Sequence, residues 1–429
     1  MQHRDITRAE ESFRHVLELQ PNYPGAHGNL GVVYLAAGSI DAGKRELRKE
    51  EELNPNEPFA YATLARVLTY QHDNAGAIEQ LQKLLTIDPK NRDAALNLGQ
   101  LLMIEKRYSE EVTVLEKALA FAPGSGALKY NLGYAYIRNG EKDKGLSLLD
   151  KALTADQDTD HGSIALNDVA YSLIDMDVGL DVAQRYAAKS LEQLEAESLK
   201  AGTGHDGLMN TSFLGATWDT VGWIQFRLGH YDQALSYLRA SWILSRNSET
   251  GDHLAQLYAK MGKKHEAEHV FRLAFAAPGQ DARQPNPAAT MHEITISQNI
   301  KRHYQDLMGK DADPGSFTTS RKADGTLTAA PAEELSRMRL VKITTATHPA
   351  AHGAVSIVFL PGKVEEVTLV DGDESLKALA EQIKTAKFDV EFPNSDPARL
   401  VRRGILSCGS RGCDLALMLP EDRSLLAAE

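Results

Sequence analysis

Few side chains in this sequence have the types and spacing that chemistry needs. Of two cysteines, Cys408 and Cys413, each flanks a short stretch that holds Gly409 and Gly412. A five-residue separation across a tight hairpin brings two Cα atoms within bridging range. The pair therefore reads either as a disulfide or as two free thiols in a reducing compartment. A nucleophilic thiolate needs a helix N-terminus and a histidine beside it, and a glycine-rich hairpin supplies neither. Two cysteines also fall short of a four-ligand zinc site. The 14 histidines are scattered, and His348 and His352 are four residues apart. That spacing makes a metal pair on a helix, but Pro349 and Gly353 mark the segment as loop. Arg402 and Arg403 read as a solvated strand face. No phosphate-binding glycine motif follows a strand. These residues imply no catalytic centre, no metal and no cofactor.

Composition narrows the partners. The chain has 429 residues, 42% hydrophobic and 25% charged, with a formal net charge of -12. An acidic surface repels phosphate backbones, so nucleic acid is excluded as a partner class. No run of apolar residues is long enough to cross a membrane as a helix. The N-terminus is polar and lacks the apolar core of a secretory signal. As written, the chain reads as cytoplasmic.

The elements that must position any binding side chains are set by a repeat. Pro21, Pro55, Pro89 and Pro123 are 34 residues apart. Leu30, Leu64, Leu98 and Leu132 keep that interval, as do the small residues Gly31, Ala65, Gly99 and Gly133. Tyr34, Leu68, Leu102 and Tyr136 make a fourth column, and Phe13, Leu47, Leu81, Leu115 and Leu149 a fifth. Each unit reads as helix–turn–helix: the small residue lets two helices approach, the later leucine packs from the second helix, and proline ends it. One unit cannot bury its apolar face, so stacking completes the core.

This pattern resembles the tetratricopeptide-repeat (TPR) family. The resemblance implies a mainly α fold, a right-handed superhelical solenoid, and binding of a protein or peptide in its concave groove. A half repeat over 1–23 precedes full repeats over 24–159 and a divergent repeat over 163–200. An insertion loop over 200–214 leads to repeats over 215–281. The solenoid thus spans 1–281. The first-helix positions left over for a groove are Arg66, Tyr70, Gln100, Tyr130, Tyr134, Arg138 and Tyr171. Tyrosine and arginine are favoured interface anchors. Asn29, Asn97 and Asn131 recur in register, but the lysines that would complete a peptide-carboxylate clamp are missing.

Residues 282–335 read as a terminal helix, near 291–308, and a linker. A small α/β domain over 336–429 follows. The segments AVSIVFL and VEEVTLV alternate as strands around a turn at 361–363, and Ser375 opens a helix. FDVEF and LVRRGILSC read as further strands, and a hairpin through the cysteines leads into DLALML. Through Gly362, Lys363, Val364, Val367, Gly372 and Phe388 this order resembles the C-terminal domain of TonB-type energy transducers. A wider resemblance rests on Trp218 to Trp223, Gly251 to Leu254, 363–367 and 400–408. It is to the C-terminal half of bacterial, notably acidobacterial, transglutaminase-like proteins. Their catalytic core lies upstream of such a segment, so the resemblance implies an accessory part of an enzyme rather than the enzyme. It also implies a periplasmic or cell-envelope setting, and with it the bridged form of Cys408 and Cys413. The incomplete first repeat fits a chain that begins inside a longer array.

Overall fold

The computed structural model describes residues 3–156, 162–277, 287–316, 330–343, 350–393, 398–409 and 412–419. The chain divides into two compact units, residues 1–157 and 158–429.

The first unit opens with helix α1 (His3–Leu19). Four helical pairs follow: α2 (Ala26–Ala36) with α3 (Ile40–Leu53), and α4 (Pro58–Tyr70) with α5 (Asn74–Ile87). Then come α6 (Arg92–Ile104) with α7 (Tyr108–Phe121), and α8 (Gly126–Arg138) with α9 (Lys142–Asp156). The columns of the sequence are the contacts of the fold. A Cβ added at Gly31 would lie 2.8 Å from Leu47 Cγ, and one at Gly133 would lie 2.8 Å from Leu149. At Gly99 the same contact, to Leu115, is 3.2 Å. Small residue and leucine thus meet inside each pair, and both are buried.

The turn within each pair needs one residue in the left-handed region, again at an interval of 34: Gly38, His72, Lys106 and Gly140. Helix ends are closed locally. Asn91 and Ser125 accept from the backbone amides of Ala94 and Leu128. At the position where the family usually has tryptophan, Tyr61 donates to the Pro55 carbonyl, and His27 Nε2 lies 3.0 Å from the Pro21 carbonyl.

The second unit continues the pairing. Here α10 (Gly162–Asp175) pairs with α11 (Leu180–Ser198), and α12 (His205–Leu228) with α13 (Tyr231–Ser245). A third pair is α14 (Ser248–Lys260) with α15 (Lys264–Ala276), and α16 (Pro287–Met308) and α17 (Pro331–Arg337) follow. The rest is an antiparallel sheet of β1 (Leu340–Ile343), β2 (Ala351–Leu360), β3 (Lys363–Gly372), β4 (Leu400–Gly409) and β5 (Gly412–Leu417), in the order β1-β5-β4-β2-β3. A 3-10 turn, Glu374–Leu379, runs into α18 (Ala380–Lys384) between β3 and β4. None of the described helices is long and apolar enough to cross a membrane.

Three expectations are corrected in this unit. The stretch 200–214 is an insertion loop only to residue 204, because α12 starts at His205. Its glycines look loop-like, but Gly207 makes room for the sheet: a Cβ there would meet Val401 Cγ2 at 2.9 Å. Thr211 Oγ1 accepts from the Val401 amide at 2.8 Å, and Ser198 Oγ from the Arg399 amide at 3.0 Å. The supposed loop is thus the seat of β4.

FDVEF is not a strand. It runs as a strap along α13, with Asp389 paired to Arg246 at 2.6 Å and Glu391 to Arg239 at 2.5 Å. Its two phenylalanines stack edge-on, Phe388 on Phe359 and Phe392 on Trp218. The alternation was real, but it sorts acidic from aromatic partners rather than two sheet faces. Arg402 and Arg403, expected on a solvated face, are buried in the middle of the sheet. Arg402 donates from Nη2 to the Met418 carbonyl at 2.7 Å. Strand β1, in turn, has no counterpart in the sequence reading.

Substituting Gly133→Val should lower the urea midpoint of helix unfolding, since the added methyls must displace Leu149. The expected cost is about 1–3 kcal/mol. An unchanged midpoint by circular dichroism would show that the helices of this pair are not in the close contact described.

Candidate functional site

On the first unit, the groove candidates lie on first helices of the pairs. Arg66 and Tyr70 on α4 and Gln100 on α6 are exposed, and Tyr70 retains 71% of its surface. Tyr130 and Tyr134, on α8, are half-buried. Arg66, Gln100 and Tyr134 are successive members of one column, so they recur on the same face of consecutive first helices. Asn29 and Asn131 spend their amide donors on the backbone carbonyls four residues earlier, Gly25 and Ala127.

Arg138 departs from the expectation. Its Nη2 is 2.5 Å from Glu111 Oε1 at the start of α7, and Glu111 is buried. Burial pushes the Glu111 carboxyl pKa up, against the pull of the Arg138 charge. The guanidinium therefore fastens one pair of helices to the next rather than presenting itself to a ligand.

Tyr171 belongs to the second unit, where it opens a polar cluster that the sequence did not assign to a site. The cluster is centred on α14, whose Glu249, Asp252 and His253 each reach a different helix. Tyr171 on α10 donates to Glu249. His253 Nδ1 is 2.9 Å from Asp219 Oδ2 on α12. His303 Nδ1 on α16 is 3.0 Å from Asp252 Oδ1. Asp219 and His253 are 34 residues apart, equivalent places in consecutive pairs, so this bond crosses from one pair to the next. The His253 ring stacks on Trp223 at 4.2 Å, and Trp223 in turn stacks on Phe226 at 4.6 Å.

Burial pulls the His253 pKa down. The nearby carboxylates of Asp219, Glu249 and Asp252 outweigh this and hold it at about 9. Tyr171 is pushed far up, first by burial and then by Glu249. At neutral pH the centre is an imidazolium among carboxylates, buried and braced by aromatic rings. Among the described residues, no hydroxyl or thiol hydrogen-bonds to His253, and no group of three His, Cys, Asp or Glu is arranged to hold a metal ion. His348 lies outside the described residues, and His352 sits on β2, its Nδ1 3.0 Å from Ser407 Oγ. What the cluster can do is bind helices together. The sequence signal for it was present in the runs Trp218 to Trp223 and Gly251 to Leu254, without a hint that the two touch.

Cys408 and Cys413 face each other across β4 and β5 in the sheet register and are joined by a disulfide, with Cα atoms 4.1 Å apart.

Family models described as tetratricopeptide repeat match residues 1–58 and 63–126, and a second such model matches 105–165. The chain carries tetratricopeptide repeats over these residues. Among solved structures, a MamA protein is 24% identical over 36% of this chain and 84% of its own, with a TM-score of 0.32. MamA 41-end from Desulfovibrio magneticus RS-1 is 23% identical over 39% of this chain and 92% of its own, at 0.33. YrrB, described as a TPR protein with an unusual peptide-binding site, is 22% identical over 38% of this chain and 84% of its own, at 0.32. No curated protein matches the sequence.

The raised pKa of His253 sets a pH dependence. The folded value, about 9, lies above the unfolded value near 6.5. The ion pair's contribution is therefore complete below about pH 6.5 and is lost as pH rises through about 9. Wild-type stability should fall by roughly 1–3 kcal/mol across that window, and His253→Gln should remove this part of the slope. Parallel pH profiles for the two proteins in urea titrations would contradict the assignment.

Proposed function

We propose that this chain is a protein-interaction scaffold whose first unit holds an extended or helical segment of a partner along the first-helix face. The observation that supports it most is the column Arg66, Gln100 and Tyr134, with Tyr70 beside it. These side chains recur at the repeat interval, and the core does not need Arg66, Tyr70 or Gln100. A repeat array offers such a face because each unit contacts only its neighbours, which leaves one helix surface per unit for a ligand. Tyrosine and arginine give that face large contact area and directional donors. The partner is a peptide or protein; its identity is open to selection experiments.

A second reading is that the chain is the accessory part of a transglutaminase-like cell-envelope enzyme, with a TonB-like tail. One observation favours it. The sequence segments on which that resemblance rests gather in the second unit, where Asp219 bonds His253, β4 seats on α12, and Arg399 pairs with Glu365.

The first reading is tested by panning a random peptide display library against the full chain. Selected peptides should bind the triple variant Arg66→Ala, Tyr70→Ala, Gln100→Ala about tenfold or more weakly, a loss of about 1.4 kcal/mol. The variant's thermal unfolding should not change. Selected peptides that bind wild type and variant alike would count against this face.

A further inference from the structure

A second surface, within the second unit, has a distinct chemistry. In the second unit, α11 and α13 flank α12 without closing over it, and between them runs a cleft of about 920 Å³. Its floor is Val221 and Ile224 of α12, both buried, and one wall carries Tyr237 of α13. Pro393, from the strap, lines it too, and the Ser236 hydroxyl fixes the strap there by donating to the Pro393 carbonyl.

The opposite wall is one face of α11, from Gln184 to Leu199. That stretch is about 22 Å long, or four helical turns. Along it Ala188 and Ala196 are exposed small residues, which let another helix come close, and Leu199 leaves 47% of its surface in solvent. The charged side chains lining the cleft are Glu192, Glu195 and Asp232, and among the described residues no lysine or arginine lines it.

We propose that this cleft is a docking groove for an amphipathic helix of a partner protein, one whose apolar stripe is edged by lysine or arginine. The length fits a helix rather than a small ligand. The apolar floor takes leucine-type side chains at helical spacing, and the carboxylates at the edge select basic flanks and reject acidic ones. A second copy of this chain is a poor occupant, since its net charge is -12. The groove has walls on the second helices α11 and α13 and its floor on α12, and it shares no residue with the first-helix face of the first unit.

The test uses the full chain and a fluorescent synthetic helix of about 18 residues, with leucine at i, i+3 and i+4 and lysine beside the stripe. The comparison peptide carries glutamate for lysine. In fluorescence anisotropy the lysine peptide should bind about tenfold or more tightly than the glutamate peptide. Ala188→Arg with Ala196→Arg should abolish that preference. The charge-only variant Glu192→Gln with Asp232→Asn should weaken lysine-peptide binding and flatten its salt dependence, with the circular dichroism unchanged. The Arg66→Ala, Gln100→Ala variant should bind as wild type, which separates this groove from the first-helix face. Equal binding of the two peptides overturns the proposal, as does binding that survives both cleft variants or is lost with Arg66 and Gln100. Sedimentation showing a dimer that the cleft variants dissolve would assign the groove to a second copy and also overturn it.

Discussion

The structure depends on one contact that recurs in both units: a small residue on the first helix of a pair against a leucine on the second. Gly31 on Leu47, Gly99 on Leu115, Gly133 on Leu149 and Gly222 on Leu238 are all so close that a Cβ on the glycine would lie within 3.2 Å of the leucine side chain. Close approach fixes how the two helices sit, and this fixes which residues of the first helix turn inward. Leu30, Leu64, Leu98 and Leu132 fill the interior as a result. The exposed positions between them are then released from packing and free to specialise. Interiors packed like solids hold such positions in fixed register.

The second unit uses the same contact but adds polar cross-links. Glu249, Asp252 and His253 tie α14 to α10, α16 and α12, and the strap ties α13 to the sheet through Arg239 and Arg246. Paired charges in a buried setting are costly to desolvate, and they hold geometry more than they add stability. Here they join elements distant in sequence, which the nearest-neighbour packing of a repeat array cannot do alone. The sheet is integrated in the same manner, with Thr211 and Ser198 hydroxyls accepting β4 backbone amides.

Whatever the repeat interval governed was legible in the sequence. The paired helices, the small-to-leucine contacts and the exposed first-helix positions follow from residues that recur at a fixed period. The strands β2, β3, β4 and β5 followed from alternation. What could not be read depends on partners far along the chain. The glycines of 200–214 look like a loop unless Val401 is known to pass Gly207. FDVEF looks like a strand unless Arg239 and Arg246 are known to face it. Arg138 looks like a groove residue until Glu111 is seen beneath it, and Arg402 looks solvated until the Met418 carbonyl is placed. In each case one side chain's role was fixed by another more than about one helical turn away.

The central claim, that partners are held on the first-helix face, is tested most directly by site-specific photocrosslinking. A benzoylphenylalanine is placed at Gln100 on α6 or, as the control, at Thr113 on the exposed side of α7, in the full chain with a panned peptide bound. The account predicts a crosslink from position 100 and none from position 113. A crosslink from 113 with none from 100 would contradict it.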